Sequence, residues 1–201
     1  MHLYFVHGSG STGDVFAAQV EAFTGSYATT LPGHRGGEAS GPSSIAEFAD
    51  AVARELDERA LRDVVLCGSS MGGAIALEVA LRRNPMVRGV VLLGSGAKLR
   101  VAPAFLESME RDFEQAARTL AGMYFAQPTP ERIDAAVAAM LAVGQAQTLR
   151  DFRACDAFDA TARVAELSVP LLAVTGERDA MTPPKFAEWL ADRVPGATAR
   201  I

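Results

Sequence analysis

The chain has 201 residues, 49% of them apolar and 21% charged, with 18 glycines spread along it. That composition can bury one sizeable core and excludes a disordered or low-complexity protein. Its 19 basic and 24 acidic residues give a net charge of −5, so no overall positive field draws it to nucleic acid or to an anionic membrane.

In chain order, Leu3–Val6 is the first candidate strand, Asp14–Phe23 has helical spacing, and Tyr27–Leu31 is a weaker strand. Ile45, Phe48, Val52 and Leu56 recur every three or four residues behind Ser44-x-x-Glu47. That is the pattern of an amphipathic helix opened by a capping box. Val64–Cys67, Val90–Leu93 and Leu171–Val174 are apolar at nearly every position, as strands covered on both faces of a parallel sheet are. Met71–Arg83 forms a helix between the first two. From residue 97 to 167 no convincing strand occurs. One helical pattern there runs through Phe105, Met109, Phe113 and Leu120, another through Ile133, Val137 and Met140 or Leu141, with Pro128-Thr129-Pro130 between them. These roughly 70 Ala-rich residues read as an insertion over the sheet, too small to build a core of their own. A helix Pro184–Val194 with Thr182 as N-cap, then a weak strand Ala197–Ile201, close the chain. The alternation predicts an α/β fold, an open and mostly parallel sheet flanked by helices, with its ligand site at the carboxyl ends of the strands. Residues 1–96 and 168–201 form the core and 97–167 the helical insertion.

Cys67 and Cys155 stand in unrelated contexts without metal-ligand spacing, which reads as two free thiols of a cytoplasmic protein. No export signal or membrane span is visible, and no metal site or cofactor is implied.

Three loops carry the chemistry. Gly68-Ser69-Ser70-Met71-Gly72-Gly73 lies between a buried strand and a helix, the setting of a nucleophile elbow. Residues two before and two after such a serine must lack side chains so that strand and helix can approach. Ser70 would then project its hydroxyl at a helix N-terminus, beside the Met71 backbone N–H. The competing reading is a Gly/Ser loop that turns the chain or cradles a phosphate. His7-Gly8-Ser9-Gly10-Ser11 ends the first strand, where the Ser9 N–H could supply the other half of an oxyanion hole. A phosphate loop is disfavoured because neither G-x-G-x-x-G nor a Walker lysine is present. Gly176-Glu177-Arg178-Asp179 follows the strand Leu171–Val174, so the Asp179 carboxylate could point into the same crevice and orient a base. By itself it would pass for an aspartate in a polar turn.

Together, HGSGST at 7–12, LPGHRGGE at 31–38, CGSSMGG at 67–73, VPLLAVTG at 169–176 and Asp179 resemble the α/β-hydrolase superfamily across nearly the whole chain. The resemblance implies the α/β-hydrolase fold with residues 97–167 as a helical cap. It implies Ser70 as nucleophile, Asp179 as triad acid, Met71 and Ser9 as backbone oxyanion donors, and Gly8 and Ser69 at the substrate. His34 and Asp159 match structural positions of the family. The family's triad histidine follows the acid, whereas all three histidines here, His2, His7 and His34, precede it. The base, a further strand and a covering helix are therefore expected past Ile201.

The expected activity is hydrolysis of small to medium apolar carboxylic esters or lactones, the partner being that small molecule. The apolar side chains Phe105, Met109, Phe113, Met123, Tyr124, Phe125 and Phe152 could line its site or simply pack cap against core. The alternatives are a non-catalytic hydrolase fold that binds a small molecule, or a triad enzyme of another reaction such as a lyase or a cofactor-free haloperoxidase.

Overall fold

A computed structural model of the protein describes residues 1–36 and 41–201. Its six strands are β1 (His2–Val6), β2 (Tyr27–Thr29), β3 (Val64–Ser69), β4 (Val87–Leu93), β5 (Leu171–Val174) and β6 (Thr198–Arg200). They form one sheet in the order β2-β1-β3-β4-β5-β6, and every pairing in it is parallel. The chain leaves β1 for β2 on one side and returns to β3 on the other. The carboxyl ends of β1 and β3 therefore flank a switch point, where a doubly wound sheet opens a crevice. The loops holding Gly8 and Ser70 both start there.

The first helical segment is split. A 3-10 turn over Gly13–Phe16 precedes α1 (Ala17–Ala22), because the chain hugs β2: a Cβ on Gly13 would lie 2.7 Å from the Thr29 carbonyl oxygen. In α2 (Ile45–Glu58) the Ser44 hydroxyl accepts the Glu47 N–H at 3.2 Å. The return bond of the capping box is displaced by one residue, since the Glu47 carboxylate accepts from the Ser43 N–H at 2.7 Å. Helix α3 (Met71–Leu81) is buried from Met71 to Ala80, enclosed by the sheet and α2, which is why its sequence is apolar on all sides.

Between β4 and β5 stand α4 (Pro103–Arg111), α5 (Phe113–Gly122), α6 (Pro130–Val143) and α7 (Gln145–Ala157). The periodic run from Phe105 to Leu120 is two helices, because Asp112 turns to φ −148° and its carboxylate accepts the Gln115 N–H to cap α5. Contrary to expectation, this segment gathers an apolar cluster of its own around Met109, Leu120, Val137 and Met140. The alanines Ala116, Ala117 and Ala121 let the helix axes approach. Helix α7 fastens the segment to the main core through Ala154 and Cys155. Its two ends meet where the Ala160 N–H donates to the Ala97 carbonyl at 2.8 Å. Beside them Lys98 pairs with Asp159, and that pairing, with hydrogen bonds from Thr161, holds the Asp159 carboxyl well below the usual range. Asp159 thus helps tie the two ends of the segment together.

Helix α8 (Pro184–Arg193) starts behind Pro183 without a side-chain cap. Thr182 is not its N-cap, for its hydroxyl and N–H both go to Asp179. No helix among the described residues is long and apolar enough to cross a membrane.

Candidate active site

Ser70 joins β3 to α3 at φ 51°, ψ −117°, a conformation that costs a non-glycine residue about 1–3 kcal/mol. The surrounding glycines make it attainable. A Cβ on Gly68 would sit 2.1 Å from the Gly72 carbonyl oxygen, and one on Gly72 would sit 2.1 Å from that of Val6. The Ser70 N–H donates to the Leu93 carbonyl at 3.0 Å, which stitches the turn to β4. The Ser70 side chain makes no capping bond to α3 and borders a cleft of about 720 Å³.

Gly8 lies directly over this serine: a Cβ there would be 3.3 Å from both the Ser69 carbonyl oxygen and the Ser70 Cβ. His7, wholly buried, sets the plane of the next peptide. Its Nε2 accepts the Leu31 N–H at 3.0 Å, so the ring proton resides on Nδ1, which donates to the Gly8 carbonyl at 2.8 Å. That carbonyl and the Ser9 N–H belong to one trans peptide and point in opposite directions. His7 thereby turns the Ser9 N–H away from itself. Burial, and secondarily the electrostatics of neighbouring His34, push the His7 ring down to about 3, so it stays neutral. Neither the Ser9 nor the Met71 N–H has an acceptor among the described residues, although both residues are buried.

Asp179 is held by four donors. Its Oδ1 accepts the backbone N–H groups of Met181 (2.9 Å) and Thr182 (2.8 Å). Its Oδ2 accepts the hydroxyls of Thr182 (2.8 Å) and Thr175 (3.3 Å). Gly94, at φ +52°, leaves it room, since a Cβ there would be 3.2 Å from Asp179 Oδ2. Ser70 and Asp179 thus flank the end of β4, and both border the cleft with Gly8, Ser9 and Ser69.

The apolar residues of the helical segment divide. Met123, Tyr124, Phe125 and Phe152 line the cleft, whereas Phe105, Met109 and Phe113 pack among the helices. Among the described residues no histidine lines the cleft. His34 is fully buried, its Nε2 donating to Asp151 Oδ2 at 2.8 Å, so it too is a structural group. Of the LPGHRGGE motif, Gly37 and Glu38 lie outside the described residues. Both cysteines are free and buried, and burial raises their thiols, to about 11 for Cys67 and about 12 for Cys155. Among the described residues no group of three or more His, Cys, Asp or Glu is placed to hold a metal ion. A second hollow of about 680 Å³ opens between β2 and α2, lined by Arg35, Arg54, Glu55 and Arg59 among others, and holds none of the candidate residues.

Sequence reasoning missed Asp151, Ser95 and the two threonines that hold Asp179. Of these only Thr175 stands in a motif, as the seventh residue of VPLLAVTG. A serine on a strained turn, two N–H groups with no acceptor among the described residues and a carboxylate held by four donors are parts suited to acyl transfer.

The sequence profile of the alpha/beta hydrolase family matches residues 3–199. The putative carbamate hydrolase RutD of Azorhizobium caulinodans is 30% identical over 94% of this chain and 78% of its own length. A pimeloyl-(acyl-carrier protein) methyl ester esterase of Neisseria meningitidis serogroup B is 29% identical over 97% of this chain and 81% of its own. Among solved structures, an esterase from Exiguobacterium antarcticum superposes with a TM-score of 0.90, covering all of this chain and 82% of its own, at 20% identity. That last likeness is one of fold.

Proposed function

The chain belongs to the alpha/beta hydrolase family, and on that premise we propose that it is a cytoplasmic serine hydrolase cleaving carboxylic esters or lactones of small to medium apolar substrates. The observation that carries this is Ser70, locked at φ 51° at the head of α3 and bordering the cleft. Strain of this kind persists only where the surrounding structure holds it, and it clusters at functional sites.

In this mechanism the Ser70 Oγ attacks the ester carbonyl, and its proton passes to a histidine oriented by Asp179. The carbonyl oxygen, as it gains charge, is taken up by the Ser9 and Met71 N–H groups, which have no other acceptor among the described residues. The alcohol leaves with the histidine's proton, and water attacks the acyl-enzyme by the same route in reverse. Residues 97–167 act as the cap, offering Met123, Tyr124, Phe125 and Phe152 to the acyl or alcohol group. His7 and His34 are occupied by other bonds, so neither serves as that base. Relatives named as an ester and a carbamate hydrolase support acyl chemistry at this site.

A fluorophosphonate should label the protein at Ser70, located by peptide mass spectrometry, and a p-nitrophenyl ester should be hydrolysed, with Ser70→Ala losing both. A folded protein with neither property would overturn the proposal.

A further inference from the structure

The most deeply buried carboxylate among the described residues stands in the cap, beside the oxyanion loop. Asp151 on α7 has no exposed surface. Its Oδ2 accepts both the His34 Nε2–H (2.8 Å) and the backbone N–H of Gly10 (2.9 Å), and its Oδ1 accepts the Gln147 side-chain N–H (2.9 Å). Gln147 in turn accepts the Gly41 N–H at 2.9 Å. Burying a charged carboxylate is costly unless such donors surround it, and one of these three is the peptide adjoining Ser9.

The rest of that helix face meets the same loop. Thr148, Asp151 and Cys155 recur at i, i+3 and i+7, hence on one side of α7. A Cβ on Gly10, which sits at φ +61°, would meet the Thr148 side chain at 3.0 Å and that of Met140 on α6 at 2.9 Å. The Ser9 hydroxyl lies 3.6 Å from Cys155 Sγ. Ser9 is therefore bracketed. His7 fixes the peptide before it through the Gly8 carbonyl, and Asp151 fixes the peptide after it through the Gly10 N–H.

We infer that Asp151 is a positioning residue for the oxyanion hole: through Gly10 it holds the Ser9 N–H in place, so the hole is complete only when the cap helix α7 is seated on the loop. The inference rests on the proposed roles of Ser70 and Ser9. It assigns to the cap a task in the chemical step, beyond lining the cleft.

The test uses Asp151→Leu, which fills the space without an acceptor, and Asp151→Asn, whose amide oxygen can still accept the Gly10 N–H. Turnover of p-nitrophenyl butyrate is read beside inhibition by n-butylboronic acid, which forms a tetrahedral adduct on the serine with an oxygen in the hole. Asp151→Leu should lower kcat about tenfold or more while KM stays within about twofold, with boronate affinity falling in step. Asp151→Asn should recover most of both. Should Asp151→Leu not fold, Asp151→Ser, too short to reach Gly10, carries the same expectation. Unchanged kcat and boronate affinity in a folded variant would overturn the inference alone, as would a loss confined to KM or one that Asn does not restore. A folded wild-type protein that neither turns over the ester nor binds the boronate would overturn the hydrolase proposal and this inference with it.

Discussion

The Ser95 hydroxyl donates a 2.7 Å hydrogen bond to the backbone carbonyl of Ser70. That oxygen also accepts the Gly73 N–H at 2.9 Å and the Ala74 N–H at 3.3 Å, so the loop after β4 and the first turn of α3 converge on one atom of the strained residue. Ser95→Ala removes the bond from outside the turn. It should cost about 1 kcal/mol, near the net value of a buried hydrogen bond, and lower Tm by about 2–4 °C in a chain of this size. Fluorophosphonate labelling of Ser70 should slow about threefold or more as the serine relaxes. Thermal unfolding and labelling rates check the two effects; unchanged labelling would show that the glycines alone hold the turn.

Gly68→Ala and Gly122→Ala should move stability in opposite directions. The first places a methyl group 2.1 Å from the Gly72 carbonyl oxygen, a backbone atom that cannot step aside. It should cost about 3 kcal/mol or more and abolish labelling. The second adds a methyl group at the end of α5 with nothing within 4 Å. It should stabilise by about 0.5–1 kcal/mol, chiefly by restricting the unfolded chain. Denaturant titration of both variants decides the matter.

The contrast also shows what could be read in advance. Strand β5 coincides with the apolar run Leu171–Val174, and the Ser70 turn follows from glycines within two residues of it, because both depend on neighbours in sequence. Part of what escaped depends on residues far apart in the chain. Asp151 gains its meaning from Gly10 and His34, which are 141 and 117 positions away. Thr182 looks like a helix cap until Asp179 claims its hydroxyl. Composition also could not divide the apolar residues of the helical segment: Phe105 and Phe152 pack edge to face at 5.1 Å, yet Phe152 also reaches the cleft and Phe105 does not.

His7 makes stability depend on pH. In the unfolded chain it takes up a proton near 6.5, but in the folded protein only near about 3, so between those values the unfolded state holds more protons. The His7 contribution is complete above pH 6.5 and is lost as pH falls towards 3, with a slope of at most about 1.4 kcal/mol per pH unit. His7→Asn can keep a donor for the Gly8 carbonyl and cannot titrate. It should be less stable than the wild type at neutral pH and show a flatter decline between pH 6.5 and about 4.5, above the range where most carboxylates protonate. Parallel slopes from urea titrations across that window would place the linkage elsewhere.

The cleft wall bears on the chain-length preference of the proposed ester hydrolysis. Met123 and Tyr124 are 52% and 42% exposed, so an acyl chain lying along them removes apolar surface from water on both sides of the contact. A buried methylene is worth about 0.8 kcal/mol at most, which caps the gain in kcat/KM at about fourfold per added carbon. Rates on p-nitrophenyl acetate, butyrate and hexanoate should therefore rise by about two- to fourfold per methylene. Because the Met123 side chain is largely exposed, Met123→Ser should cost less than about 0.5 kcal/mol of stability. The same change takes apolar area from the wall and should flatten the chain-length slope, with the acetyl ester least affected. A slope that Met123→Ser leaves unaltered would mean that the acyl chain takes another path, leaving Met123 and Tyr124 to the alcohol.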